Sequence, residues 1–280
     1  MKVARYWARV SVSAEAPDGI EYTRTLVRGS DISKADAQQQ AERACSQIAQ
    51  NIRAGAEVDW YDYDRQPKPE PIDREWFNEA GVRIAAITIN RYGIPVLNTA
   101  TLVIVDVDLP DAPQSPRLLS KLFGKKPTRS SEEDALAHVR AWVRAGTAHS
   151  ARLYRTAGGL RYILPATPMD PASNEVQSLM ARFEADPFYM RLCKLQNSYR
   201  ARLAPKPWRI GCRSIHRRSL EGGANFRSIP DYQHYKQQSD RFATCSLIEH
   251  LGPQPHDARI LELIHVHDEM CKASSSRPLA

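Results

Sequence analysis

Apolar and polar residues alternate through Tyr6-Trp7-Ala8-Arg9-Val10-Ser11-Val12 and again through residues 20–27, on either side of Pro17-Asp18-Gly19. A period of two is the repeat of a half-buried strand, and Asp-Gly supplies turn chemistry, so the pattern predicts a β-hairpin. The period then changes. Ser33-Lys34-Ala35-Asp36 is a helix start with an acid at its third position, and Ala37, Ala41, Ala44, Cys45, Ile48 and Ile52 recur at helical spacing as far as Gly55. Residues 60–71, WYDYDRQPKPEP, mix proline, aromatics and charge and predict a surface loop. Three strand-like runs follow, VRIAAITIN, IPVLN and ATLVIVDVD, the last being the most hydrophobic run of the chain. Residues 110–129 are rich in proline and base and predict a loop, after which Ser130-Ser131-Glu132-Glu133 caps a helix carrying Leu136, Val139, Trp142 and Val143. A second hairpin is predicted over residues 151–164, turning at Ala157-Gly158-Gly159, then helices over 174–184 and 187–201. Residues 214–240 read as irregular and polar. Residues 243–251 and 258–266 alternate around Gly252-Pro253-Gln254-Pro255 and predict a closing hairpin.

Strands and helices interspersed without regular βαβ alternation indicate the α+β class. The expected architecture is a central, mostly antiparallel sheet holding the strands that end at Asp108, start at Arg152 and return at Leu160, flanked by the helices near 34–54 and 131–145. Residues 1–75 are expected to form an accessory layer on a core of residues 76–280. Composition adds exclusions: 42% hydrophobic and 25% charged residues over 280 positions exclude a disordered, collagen-like or coiled-coil chain. No apolar run approaches the roughly 20 residues of a membrane span, and MKVARYWARVSVSAEA lacks the apolar stretch of a secretory signal, so a cytoplasmic protein with no membrane partner is expected. Five widely spaced cysteines with no Cys-x-x-Cys pair argue for reduced thiols rather than a disulfide framework or a zinc ribbon. The net charge of +7 favours an acidic partner.

Candidate chemistry begins at Leu102-Val-Ile-Val-Asp106-Val-Asp108-Leu-Pro110. Carboxylates separated by one residue on a strand share a face, so both can converge on a hard cation such as Mg²⁺ or Mn²⁺, as phosphoryl and nucleotidyl transfer require. The same pair also fits the solvent end of a core strand before a Pro turn. Downstream lies Tyr154-Arg155-Thr156-Ala157-Gly158-Gly159-Leu160-Arg161. A hydroxyl and two glycines between strands let backbone approach a phosphate, with Arg155 and Arg161 as bidentate donors, although an ordinary glycine hairpin has the same composition.

The order and spacing of these two segments resemble motifs I and II of archaeo-eukaryotic primase-polymerases. The resemblance covers residues 82–165 and implies a primase-polymerase-like fold, a divalent metal on Asp106 and Asp108, and a nucleotide site at Arg155, Thr156, Gly158, Gly159 and Arg161. Motif II of that superfamily usually carries a histidine that contacts nucleotide phosphate, and Arg161 stands at the matching position. That departure favours retained phosphate binding over retained catalysis. A third acidic motif has no secure match; the candidates are Asp268, Glu249 and Glu262. The chain also resembles an uncharacterised bacterial family, through residues 89–98, the Asp-x-Asp strand, residues 154–161 and residues 199–209, and this brings no activity with it.

Residues 191–218 contain nine Lys or Arg and no Asp or Glu, with Tyr199 and Trp208 among them. Arg200, Arg202, Lys206, Trp208 and Arg209 suit nucleic acid, cations on phosphates and rings on bases, and equally suit a solvated face paired to acids elsewhere. His265, His267 and Asp268, read on a strand, could ligate a transition metal; strand histidines are commonly structural. No Walker A, Rossmann, Gly-x-Ser-x-Gly or His-Glu-x-x-His motif is present. The function expected is that of a metal-dependent nucleotidyltransferase of primase-polymerase type, or of a diverged relative that keeps the nucleotide site. It would use Mg²⁺ or Mn²⁺, Asp106, Asp108 and Asp268 as catalytic carboxylates, and nucleic acid and nucleoside triphosphate as partners. The alternatives are a non-catalytic nucleic-acid-binding or regulatory protein and a divalent-metal nuclease or phosphohydrolase.

Overall fold

The computed structural model describes residues 1–56, 69–109, 131–165, 168–213 and 228–280. The predicted loop at 110–129, most of the one at 60–71, and Arg217, Arg218 and His216 lie outside the described residues.

The first hairpin forms as its alternation requires. Strands β1 (Tyr6–Glu15) and β2 (Glu21–Ser30) pair antiparallel from Tyr6 opposite Ser30 to Glu15 opposite Glu21. Helix α1 (Lys34–Arg53) starts at the Ser33 cap, whose hydroxyl accepts from the Asp36 amide. Its buried stripe of Ala37, Ala41, Cys45, Ala49 and Ile52 lies against the hairpin, the small residues letting helix and strands approach closely. Thus α1 covers this hairpin and does not flank the central sheet as expected. Arg83, with Asp31 at 2.9 Å and Glu75 at 2.7 Å, joins this layer to the rest.

Instead of one central sheet the described residues form two four-stranded sheets, antiparallel throughout. One has the order β3 (Ile72–Phe77), β4 (Arg83–Ile89), β5 (Pro95–Thr99), β9 (Tyr199–Arg202). The other runs β10 (Cys245–Leu251), β7 (Ala151–Thr156), β8 (Gly159–Leu164), β6 (Val103–Asp108), and it contains both motif segments. On one face of the second sheet lies α2 (Glu132–Arg144), which begins with a full Ser131–Asp134 capping box. Tyr162 reaches that face, edge-on to Phe183 at 5.9 Å, and Phe183 is edge-on to Trp142 of α2 at 5.6 Å. Helices α3 (Asn174–Arg182) and α4 (Pro187–Gln196) follow their caps at Ser173 and Asp186.

Three further expectations change. Residues 199–202, read as the end of a helix, are strand β9, because Asn197 takes the left-handed conformation and ends α4. The stretch read as irregular contains α5 (Pro230–Ser239), with proline in its first turn. The last element is helix α6 (Ala258–Cys271), capped by Asp257, so the predicted closing hairpin does not exist. Ile260, Leu263, Ile264, His267 and Cys271 form its buried face. α6 packs on the second face of the motif sheet, where Arg152 and Tyr154 bond to Asp268.

Candidate functional site

Strand alternation decides which motif residues meet. In the β6–β8–β7 register Asp106 lies opposite Arg161, which lies opposite Tyr154, and Asp108 lies opposite Gly159 and Thr156. Asp106, Arg161, Tyr154 and Arg152 therefore share the face that receives α6. Arg155 points to the other face, where it pairs with Glu132 at the start of α2. It does not join the other nucleotide-site candidates.

Arg161 is only 1% exposed. Its Nε donates to Asp106 Oδ1 at 2.8 Å and its Nη2 to Oδ2 at 3.3 Å, while Nη1 donates to the Arg202 carbonyl at 3.0 Å and meets His267 Nε2 at 3.2 Å. Burial works against a charged Asp106, but the Arg161 guanidinium overrides it and holds the carboxyl below its ordinary range. Arg161 thus acts as the counter-charge of the first motif carboxylate as well as a wall of the site.

Outside this pair lies a cavity of about 50 Å³ lined by Asp106, Asp108, Thr156, Gly158, Arg161, Arg202, Lys206 and Arg209 among others. Arg161 comes from β8 and Arg202 from the end of β9, and Lys206 and Arg209 arrive on the segment after it, where Pro207–Arg209 makes one 3₁₀ turn. Arg209 lies over the turn of β7–β8, so that a Cβ at Gly158 would come within 3.1 Å of its Nη2. Four cationic side chains face two carboxylates, and the field of the cavity attracts anions. Burial and then the neighbouring Arg202 and Arg209 lower the Lys206 pKa to about 8. A second cavity of about 230 Å³, lined by Tyr92, Phe188 and Arg200 among others, shares Asp106 and Arg202 with the first. A larger cavity, about 790 Å³, lies beside α5 among Tyr232, Tyr235, Pro205 and Met270. It holds neither motif carboxylate, so size does not make it the candidate.

Other expected site residues are placed elsewhere. Gly159 has φ 152°, and a Cβ there would lie 2.0 Å from the Val107 carbonyl oxygen. Glycine is required at this position by the close approach of β6, not by a phosphate. Arg200 is held by Glu70 at 2.8 Å and by Gln196 at 2.7 Å. Trp208, 41% exposed, stands edge-on to Tyr92 at 5.3 Å. Asp268 is separated from Asp106 by His267 and Arg161: it accepts from Arg152 at 2.5 Å and from the Tyr154 hydroxyl at 2.7 Å. These bonds leave Asp268 no place beside the motif carboxylates. Glu249 pairs with Arg140 at 2.6 Å, and Glu262 accepts from the Trp76 indole at 2.8 Å.

On a helix His265 and His267 diverge; His265 is exposed and His267 fully buried. His267 instead meets two cysteines. Cys245 is on the same face of β10 that Thr156 and Tyr154 occupy on β7, and Cys271 follows His267 by one helical turn. Cysteine spacing carries no sign of this cluster. The helical period of positions 260, 263, 264, 267 and 271 does.

Comparison of the chain with protein-family models, curated proteins and solved structures finds no match.

Proposed function

We propose that this cavity binds the phosphates of a nucleotide, and that the protein is a diverged nucleotidyltransferase of primase-polymerase type acting on nucleic acid. The observation that carries the reading is the gathering of Asp106, Asp108, Thr156, Gly158 and Arg161 with Arg202, Lys206 and Arg209 in one cavity. The two motif segments and the basic tract are far apart in sequence, and chance packing has no need to bring them together. Arg202, Lys206 and Arg209 supply charge-assisted donors to phosphate oxygens. Thr156 and Gly158 offer a wall without bulk, and the adjoining cavity beside Tyr92 and Phe188 offers aromatic surface for a nucleoside.

Asp106 and Asp108 would hold the Mg²⁺ or Mn²⁺ that such chemistry uses. The site suits that ion as a complex with polyphosphate: a bare cation meets a surplus of positive side chains, with both Asp106 oxygens already accepting from Arg161. A bound metal supplies neutralisation of phosphate charge. The protein's own part is to hold the phosphates and to keep Asp106 ionised through Arg161.

The Asp106–Arg161 pair also favours a second reading, a non-catalytic phosphate-binding module in which that carboxylate is purely structural. Incubation with labelled nucleotides, a primed template and Mn²⁺ separates the readings. Extension supports nucleotidyl transfer, shortening supports a nuclease, and binding without turnover supports the module. Loss of all binding to nucleotide and nucleic acid overturns the site assignment itself.

A further inference from the structure

We infer that Cys245, His267 and Cys271 form a site for a thiophilic divalent metal, with Zn²⁺ as the fitting ion, immediately behind the Arg161–Asp106 pair. One ligand atom from each of the three residues lies within 4.8 Å of the others, and all three side chains are buried. Two thiols and an imidazole are the donors that Zn²⁺ prefers over the oxygen-seeking Mg²⁺ and Mn²⁺. This inference does not depend on the nucleotide reading.

The ring of His267 is oriented as a ligand would be. Its Nδ1 lies 2.9 Å from Asp268 Oδ1, a carboxylate already held by Tyr154 and Arg152 and so an acceptor. Nδ1 therefore carries the proton. At the other edge Nε2 meets Arg161 Nη1, which can only donate, so Nε2 keeps its lone pair. A carboxylate behind one ring nitrogen, which leaves the other with its lone pair, is the outer-shell support that metal-binding histidines use.

Local charge closes as well. Both sulfurs bind Zn²⁺ as thiolates, any thiol proton passing to solvent, and two thiolates cancel the charge of the ion. The flanking ions are already paired, Arg161 with Asp106 and Arg152 with Asp268. Arg161 Nη1 would give up its approach to Nε2 and keep its bond to the Arg202 carbonyl. Three protein ligands leave one position of a tetrahedron for a water or for that carbonyl, which Cys271 Sγ already approaches at 3.6 Å.

The test uses the full chain, reduced and freed of metal, titrated with Zn²⁺ and separately with Co²⁺ as a spectroscopic probe. One equivalent of each is expected, with a thiolate-to-cobalt charge-transfer band and the intense visible bands of a tetrahedral ion. Asp268→Asn should weaken Zn²⁺ binding about 10–100-fold while the charge-transfer band persists, and Cys271→Ser should remove a large part of that band. Wild-type protein alone decides the matter if the cysteine variants do not fold. Absence of uptake at micromolar Zn²⁺, a cobalt spectrum without thiolate bands, or a Cys245–Cys271 disulfide that persists under thiol reductant would each overturn the inference.

Discussion

Arg161 joins the two halves of the site at the scale of single residues. It is 1% exposed, and its guanidinium is divided among Asp106, the Arg202 carbonyl and His267. Replacing it with methionine keeps much of the volume and leaves Asp106 and His267 facing each other without a donor between them. Arg161→Met should cost about 3–5 kcal/mol of unfolding free energy in a urea titration, as expected when one partner of a buried pair is removed. Because the folded pKa of Asp106 lies below its unfolded value, the stability it contributes is complete above roughly pH 4 and is lost as pH falls through the folded value. Arg161→Met should therefore also flatten the acid limb of the stability curve. Lys206 titrates on the other side of neutrality. With a pKa lowered to about 8, it is charged below that pH and becomes neutral above it. Polyphosphate affinity measured by calorimetry should fall as pH rises through about 8, and Lys206→Arg should keep the affinity level there because arginine stays protonated. A bound anion raises the Lys206 pKa, so the affinity should go on falling up to that raised value and level off above it.

The β7–β8 turn shows at the scale of elements how one short sequence serves two purposes. Gly159 is pressed against β6 with φ 152°, whereas a Cβ on Gly158 would meet only the flexible end of Arg209 at 3.1 Å. Gly159→Ala should destabilise the protein severely through a strained backbone and a clash with the Val107 carbonyl. Gly158→Ala should leave the melting temperature nearly unchanged and weaken polyphosphate binding by displacing Arg209. Thermal melts and calorimetry on the two variants check this contrast. The elements that sequence predicts correctly carry strong local signals: Asp18-Gly19 in the first turn, the Ser33 and Ser131 caps, and the apolar run that ends in Asp106 and Asp108. Strand β9, only four residues long, owes its form to pairing with β5 from Val96 opposite Arg202 to Thr99 opposite Tyr199, which no local pattern encodes. Strand β3 is charged along much of its length. Helix α6 is open to two periods in the sequence. His265-Val266-His267 alternates like a strand, but the longer series from Ile260 to Cys271 is helical, and the helix is what brings His267 beside Cys271.

At the scale of the whole molecule, part of the basic surplus is gathered at one place, because the end of β9 and the tract after it bring Arg202, Lys206 and Arg209 to the cavity of the motif sheet. The tract is less uniformly available than its sequence suggests, since Glu70 neutralises Arg200. The α+β class, the pairing of the motif strands and the shared face of Asp106 and Asp108 were legible in the sequence. The counter-ion of Asp106, the opposite face taken by Arg155, and the removal of Asp268 behind His267 depend on long-range register and packing. Binding of single-stranded nucleic acid should weaken with salt, and the log–log slope should shrink by roughly 0.7 for each phosphate that Arg202→Ala or Arg209→Ala leaves without its cation. The most direct measurement is calorimetric titration of the protein with Mn²⁺ alone, with nucleoside triphosphate alone and with the two together, repeated on Asp106→Asn/Asp108→Asn. The account predicts no binding of Mn²⁺ at the motif carboxylates without nucleotide, triphosphate binding strengthened by Mn²⁺ in the parent, and loss of that strengthening in the double variant while triphosphate itself still binds. Failure of the parent to bind triphosphate with or without Mn²⁺, or a Mn²⁺ effect unchanged by the double substitution, would contradict it.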